Sequence, residues 1–131
     1  MGQDDLPASV TRNVLAGTGK ILGVSAATVA EALQAEQDGA DYIGAGSVFT
    51  TGTKQDVRPV SFPLLQEITR AVSIPVIAIG GINKQNAGQL QGTGIDGIAV
   101  VSAILGEKDM RQAAEELRNK LAFLQSGGEK P

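Results

Sequence analysis

Three groups of residues have the types and spacing to handle phosphate chemistry. The first lies in IPVIAIGGINKQNAGQLQGTGIDGIAVVSAIL, residues 74–105. Gly80-Gly81 ends the apolar run Val76–Ile79, and Ser102 ends the run Ile98–Val101. A Gly-Gly turn has no Cβ to keep an anion off the backbone. The N–H groups of Gly81, Ile82 and Ser102 can converge on a phosphate, helped by the N-terminal dipole of a helix after Ser102. The same residues also suit a plain tight turn and a helix cap. The second group is GSVFTTGTKQDVRP, residues 46–59, which is too long and polar for a simple connector. Thr51 and Thr53 offer hydroxyls, Gly52 admits close backbone approach, and Lys54 is a mobile cation suited to a diphosphate. A solvated surface loop fits that spacing as well. The third group is Asp4-Asp5. Paired carboxylates can hold Mg²⁺, which takes few protein ligands and keeps its waters; they also suit an acidic helix start.

The rest of the composition narrows the chemistry. There is no cysteine and no histidine among the 131 residues. Disulfides, thiolate nucleophiles, histidine ligands and histidine general bases are therefore excluded. The net charge of −3, without a basic run or aromatic strip, argues against nucleic-acid binding. No apolar run approaches membrane-spanning length, and the first residues do not form a signal peptide, so a cytoplasmic location is expected.

The elements that must position these groups follow from periodicity. Pro7 to about Ala16 reads as a helix, with Leu6, Val10, Val14 and Leu15 on one side. Lys20–Val24 reads as a buried strand ending at Ser25. Thr28 to Gln37 reads as a helix stopped by Asp38-Gly39. Asp41–Gly44 reads as the next strand. Ser61 is expected to cap a helix through Val72 that turns Leu64, Leu65, Ile68 and Val72 inward. Val76–Ile79 and Ile98–Val101 read as strands covered on both faces. Asn83 to Gln91 reads as the helix between them, and Asp109 starts a final helix to about Gln125. One domain is expected over residues 1–125, with a disordered tail at 126–131. The order is α(βα)4, with right-handed crossovers. Four parallel strands can stand as an open sandwich. The placement of Ser25, residues 51–54, Gly81 and Ser102 at C-terminal strand ends suits a barrel rim instead.

GVSAAT (23–28), ADYIGAGSVFTTGTKQD (40–56), IPVIAIGGIN (74–83) and GIDGIAVVSAIL (94–105) together resemble thiamine-phosphate synthase. GQDDLP (2–7) resembles the segment just after that family's fourth strand. The resemblance implies an α/β fold of the (β/α)8 TIM-barrel family, present here as about four βα units with parallel strands, a half-barrel. It implies transfer of the hydroxymethylpyrimidine group from its diphosphate to thiazole phosphate, which releases diphosphate and gives thiamine phosphate. It implies Asp5 as a Mg²⁺ ligand, and Ser25 and Lys54 as contacts to the pyrimidine diphosphate. Thr51, Gly52 and Thr53 would form the loop over the thiazole phosphate, and Gly81, Val101 and Ser102 its phosphate cradle. No residue is required as a general base.

Some positions depart from the family. Ala27 stands where it often has histidine, and Ser47 and Thr50 stand where proline is common. The family's first four strands, with their diphosphate grip and second metal carboxylate, have no counterpart here. Association into a homo-oligomer, or pairing with a missing N-terminal half, is therefore expected. Two alternatives remain beside the enzyme: a non-catalytic half-barrel that keeps a phosphate site, and a thiazole tautomerase-type relative, which typically lacks Thr51-x-Thr53-Lys54.

Overall fold

The computed structural model of the chain describes residues 1–49, 59–100 and 102–127. Its centre is a four-stranded sheet: β1 (Gly23–Ala26), β2 (Tyr42–Ala45), β3 (Val76–Ile79) and β4 (Gly97–Ala99). All three pairings are parallel, and the strands lie in the order β1-β2-β3-β4. Sequence neighbours are thus sheet neighbours throughout. Right-handed crossovers in an unreversed order put the connecting helices on one face, which is the winding of a (β/α)8 barrel rather than of a doubly wound sheet. The expected half-barrel of four βα units is what the structure shows.

The helices are α1 (Ala8–Val14), α2 (Val29–Gln37), α3 (Phe62–Ala71), a one-turn α4 (Ser102–Leu105) and α5 (Met110–Gly127). Local chemistry sets their starts. Thr28 accepts from the Glu31 N–H at 3.1 Å, satisfying a free donor of the first turn, while Glu31 accepts from the Ala27 N–H just before the cap at 2.8 Å. The Ser61 hydroxyl accepts from Leu64 N–H at 3.3 Å, and Asp109 accepts from Gln112 N–H at 3.0 Å. Alternation along the strands separates two faces. Val24, Ala26, Ile43, Ala45, Val76 and Ala78 are buried toward the helices with Leu65 and Ile68 of α3. The opposite face carries Ser25, Tyr42, Ile77, Ile79 and Ala99, none of which is buried.

Several expectations need correction. β1 begins at Gly23 rather than Lys20 and runs to Ala26, so Ser25 lies inside the strand. The intended inner side of α1 is not inner: Leu6, Val10 and Val14 are exposed, and the helix has no buried residue. The helix expected over 83–91 is a turn followed by a single 3₁₀ turn, Ala87–Leu90. Asn83 and Asn86 spend their side chains on nearby backbone, an alternative that competes with helix formation. β4 is assigned only to Ala99, and Val101 lies outside the described residues. The last helix extends to Gly127, two residues into the stretch read as a tail; residues 128–131 lie outside those described.

The N-terminal end of the sheet is fastened by a device that occurs twice. Asp41 N–H donates to the Leu22 carbonyl at 2.7 Å, and the Asp41 carboxylate accepts Leu22 N–H at 2.7 Å. Asp96 repeats this with Val76, at 2.9 Å for both bonds. The sequence signal is Gly-x-Asp-x-Ile at 39–43 and again at 94–98. Arg12 adds a bond to Asp41 at 3.0 Å, tying α1 to this end. Asp41 is held below the usual carboxylate range, first by the Leu22 N–H and then by Arg12. Glu36 is lowered by the hydroxyl and N–H of Ser73, a tie from α2 to the turn after α3. A depressed carboxylate contributes stability above its unfolded pKa, and that contribution is lost as pH falls through the folded value. The melting temperature is therefore expected to hold from neutral pH down to the carboxylate range, then to fall below about pH 4. Asp41→Asn should flatten that fall when melting is followed by circular dichroism across pH; an unchanged slope would remove Asp41 from the account.

Candidate functional site

The loops at the C-terminal end of the sheet are built differently from those below. After β3, Gly80 and Gly81 take φ of 107° and 64°, left-handed backbone that favours glycine. At Gly80 there is a second reason. A Cβ there would lie 2.7 Å from Ser47 Cα and 3.0 Å from Ser47 Cβ. The two segments approach so closely because the chain after β2 runs along the end of β3. Val48 N–H donates to Ile79 O at 2.9 Å and Phe49 N–H to Gly80 O at 3.1 Å. Val60 N–H then returns to Ser47 O at 2.9 Å, and Phe49 packs edge-on against Phe62 at 5.6 Å. The base of the long loop is thus pinned over the β2 and β3 ends. Its expected ligands Thr51, Gly52, Thr53 and Lys54 lie outside the described residues.

Ile79 pairs with Ala99, so the chain leaves β3 and β4 side by side at the same end. The Gly80-Gly81 turn therefore starts beside the end of β4. Ile82 is buried, 4 % exposed. Among the described residues the N–H groups of Gly81 and Ile82 have no acceptor. Buried amides are nearly always paired, so a donor left open at a strand end suits an anion. One part of the expectation weakens: α4 is a single turn of four residues, too short for a developed macrodipole. Any attraction at Ser102 must come from its local N–H groups.

The remaining expected residues gather at the other edge. Met1 O accepts Ser25 N–H at 2.7 Å, and Gln3 Nε2 donates to Ser25 O at 2.7 Å, so residues 1–3 cover the β1 edge. Ser25 is exposed on the face away from the helices. Asp5 sits in the turn that follows, where one carboxylate oxygen accepts Gly2 N–H at 2.7 Å. Ser25 lies in the β1 edge that residues 1–3 cover, with Asp5 in the turn after them, whereas Gly81 and Ser102 follow β3 and β4. With strands about 4.8 Å apart, β1 and the β3–β4 pair stand on the order of 10–15 Å from each other across the sheet.

For Mg²⁺, the described residues hold no group of three or more acidic, histidine or cysteine side chains. Asp5 still fits as a single ligand, because Mg²⁺ is commonly held by one or two carboxylates plus substrate phosphates and waters. Asp4 is exposed beside it.

Sequence reading missed Asn86. Its Nδ2 donates to Gly81 O at 2.8 Å and its Oδ1 accepts Asn83 N–H at 2.8 Å. Asn83 returns the bond, its Oδ1 accepting Asn86 N–H at 3.0 Å. Asn83 had a signal, as a cap; Asn86 had none, because a helix was expected through it. From outside, α5 props the same loop: Lys120 Nζ donates to the Lys84 carbonyl, and Lys84 pairs with Glu116 at 3.5 Å.

A singly wound parallel sheet, β1-β2-β3-β4, with its glycine turn at the C-terminal rim defines a fold of (β/α)8-barrel type. The sequence model of the thiamine monophosphate synthase family matches residues 1–104, and the chain belongs to that family. It is 56 % identical over 117 residues to a thiamine-phosphate synthase of Ruminiclostridium cellulolyticum, covering 89 % of this chain and 55 % of that protein. A thiamine-phosphate synthase of Pyrococcus abyssi is 52 % identical over 118 residues, 90 % of this chain and 56 % of its own. The solved thiamine phosphate pyrophosphorylase of Pyrococcus furiosus superposes with a TM-score of 0.84 at 46 % identity, over 95 % of this chain and 58 % of that one. The chain thus spans little more than half the length of the relatives it matches. Among the described residues no helix is long and apolar enough to cross a membrane.

Proposed function

We propose that this chain forms the C-terminal half of a thiamine-phosphate synthase active site. That site transfers the hydroxymethylpyrimidine group from its diphosphate to the nitrogen of thiazole phosphate and releases diphosphate. The observation that carries the proposal is the pair of adjacent strand ends, β3 and β4, with Gly81 and Ile82 N–H groups that have no acceptor among the described residues. Gly81, Val101 and Ser102 would hold the thiazole phosphate, with Thr51, Gly52 and Thr53 closing over it. Ser25 and Lys54 would hold the departing diphosphate. In the transfer, the C–O bond to diphosphate breaks with its electron pair on the leaving oxygen, and the thiazole nitrogen lone pair forms the new C–N bond. Charge neutralisation and orientation dominate such a step, so the lack of histidine is no obstacle. Mg²⁺, held in part by Asp5, would supply neutralising charge to the diphosphate. A cytoplasmic location goes with this reading.

The length of the match favours a second reading, a half-barrel that binds phosphate without turnover by itself. Two measurements separate them: thiazole phosphate binding followed by NMR, and thiamine phosphate formation with and without a completing N-terminal half. Lys54→Ala should leave thiazole phosphate binding intact and lower product formation in the completed barrel by about 10²–10³-fold, the usual scale for a preorganised electrostatic contact. Equal turnover by Lys54→Ala and the parent would remove lysine from the diphosphate site.

A further inference from the structure

The Gly81 carbonyl is the wrong group to have near an anion. A carbonyl oxygen facing a phosphate repels it, and a Gly-Gly turn is free to adopt such a conformation. The structure fixes the turn otherwise. The side-chain amide of Asn86 spans Ile82, donating to Gly81 O and accepting from Asn83 N–H, each at 2.8 Å. In a planar trans peptide the C=O and N–H point in opposite directions. Holding Gly81 O against Asn86 therefore turns Ile82 N–H, of the same peptide unit, away from Asn86. That N–H is the buried donor with no acceptor among the described residues.

We infer that Asn86 is a positioning residue for the phosphate loop: it restrains the Gly81 carbonyl and thereby aims the Ile82 N–H at a bound phosphoryl group. The inference rests on the reading of this loop as the thiazole phosphate cradle. The clasp needs one donor and one acceptor on the same short side chain, which asparagine has and aspartate at neutral pH lacks. Asn83 differs. Its side chain only accepts, from Gln85 N–H at 2.9 Å and Asn86 N–H at 3.0 Å, so a carboxylate there keeps both bonds.

The test compares Asn86→Asp with Asn83→Asp, which add the same charge to the same turn. Sulfate is the first probe, since its charge is constant from pH 4 to 7; thiazole phosphate is the second. Binding is read from amide shifts of the intact chain, with melting curves as a fold control. Asn86→Asp is expected to weaken both ligands at least tenfold more than Asn83→Asp at neutral pH. Its deficit with sulfate should close as pH is lowered and the protonated carboxyl regains a donor for Gly81 O. A loss without that recovery would mark a purely structural role. Equal affinities for the two variants would overturn the inference while leaving the cradle in place. If the parent chain binds neither ligand, the cradle reading fails, and this inference fails with it.

Discussion

Gly80→Ala is expected to destabilise the chain by about 2–4 kcal/mol, the sum of a left-handed backbone penalty and overpacking. The melting temperature should drop by roughly 8–15 °C for a domain of this size. Two effects act together. Gly80 has φ of 107°, and its missing Cβ is the space into which Ser47 packs, with Ser47 Cα 2.7 Å from the position that Cβ would take. Neither neighbour can yield easily. Ser47 is buried, its carbonyl accepts from Val60 N–H, and its hydroxyl donates to Phe49 O at 2.7 Å. Pushing Ser47 aside therefore opens the base of the long loop as well as the Gly-Gly turn. Sulfate binding should fall along with stability. Gly88→Ala is the matched control: its Cβ would meet nothing within 4 Å and its φ is not positive. That variant should be neutral or gain about 0.4–1 kcal/mol through a less flexible unfolded chain. Melting curves for the pair decide the point. If Gly80→Ala melts with the parent, the close crossing of the two loops is not a constraint.

How much of this was legible in the residues depends on the scale of the signal. Val76–Ile79 is read correctly to the residue, because an apolar run bounded by Pro75 and Gly80 has one sensible interpretation. The helices starting at Thr28, Ser61 and Asp109 are likewise announced by caps followed by periodic apolar positions. The start of β1 is misplaced because Lys20 and Ile21 look strand-like, while pairing starts only where Gly23 faces Tyr42. The inner face of α1 is misjudged for a different reason. Periodicity gives an apolar side but not what covers it, and here nothing described does. The short element after β3 is misread because two asparagines four and one residues before a 3₁₀ turn look like a cap and a helical surface position. Only coordinates show the two side chains exchanging bonds across Ile82. The glycines of the site are the reverse case. Gly80 and Gly81 were legible as a glycine turn, and both take the left-handed conformation such a turn asks for, while the close approach of Ser47 to Gly80 was not.

The isolated chain is expected to bind thiazole phosphate yet form no measurable thiamine phosphate, and the reason lies on the face of the sheet away from the helices. There, small and large residues alternate across strands. The Tyr42 ring lies over Gly23, Ile79 Cδ1 stands 2.9 Å from where a Gly44 Cβ would be, and Ile77 Cδ1 stands 3.0 Å from that of Gly97. Such a layer is how barrel interiors are filled, with side chains of alternate strands meeting at the axis. Here the layer is open, with Tyr42 and Ile79 each 38 % exposed. Burying a large apolar side chain contributes about 1.5–3 kcal/mol, so this face has a definite drive to be covered. In solution the chain should self-associate as concentration rises, seen by light scattering with size exclusion. Adding the N-terminal part of the Pyrococcus abyssi relative, the portion of its length that this chain does not match, should compete with that association and restore product formation. Ile79→Glu should lower that restored activity at least tenfold, while the helix side of the sheet, to which Ile79 does not contribute, stays folded. A monomer that shows turnover alone would mean that four strands suffice for the chemistry. A restored activity indifferent to Ile79→Glu would mean that the two halves meet somewhere other than this face.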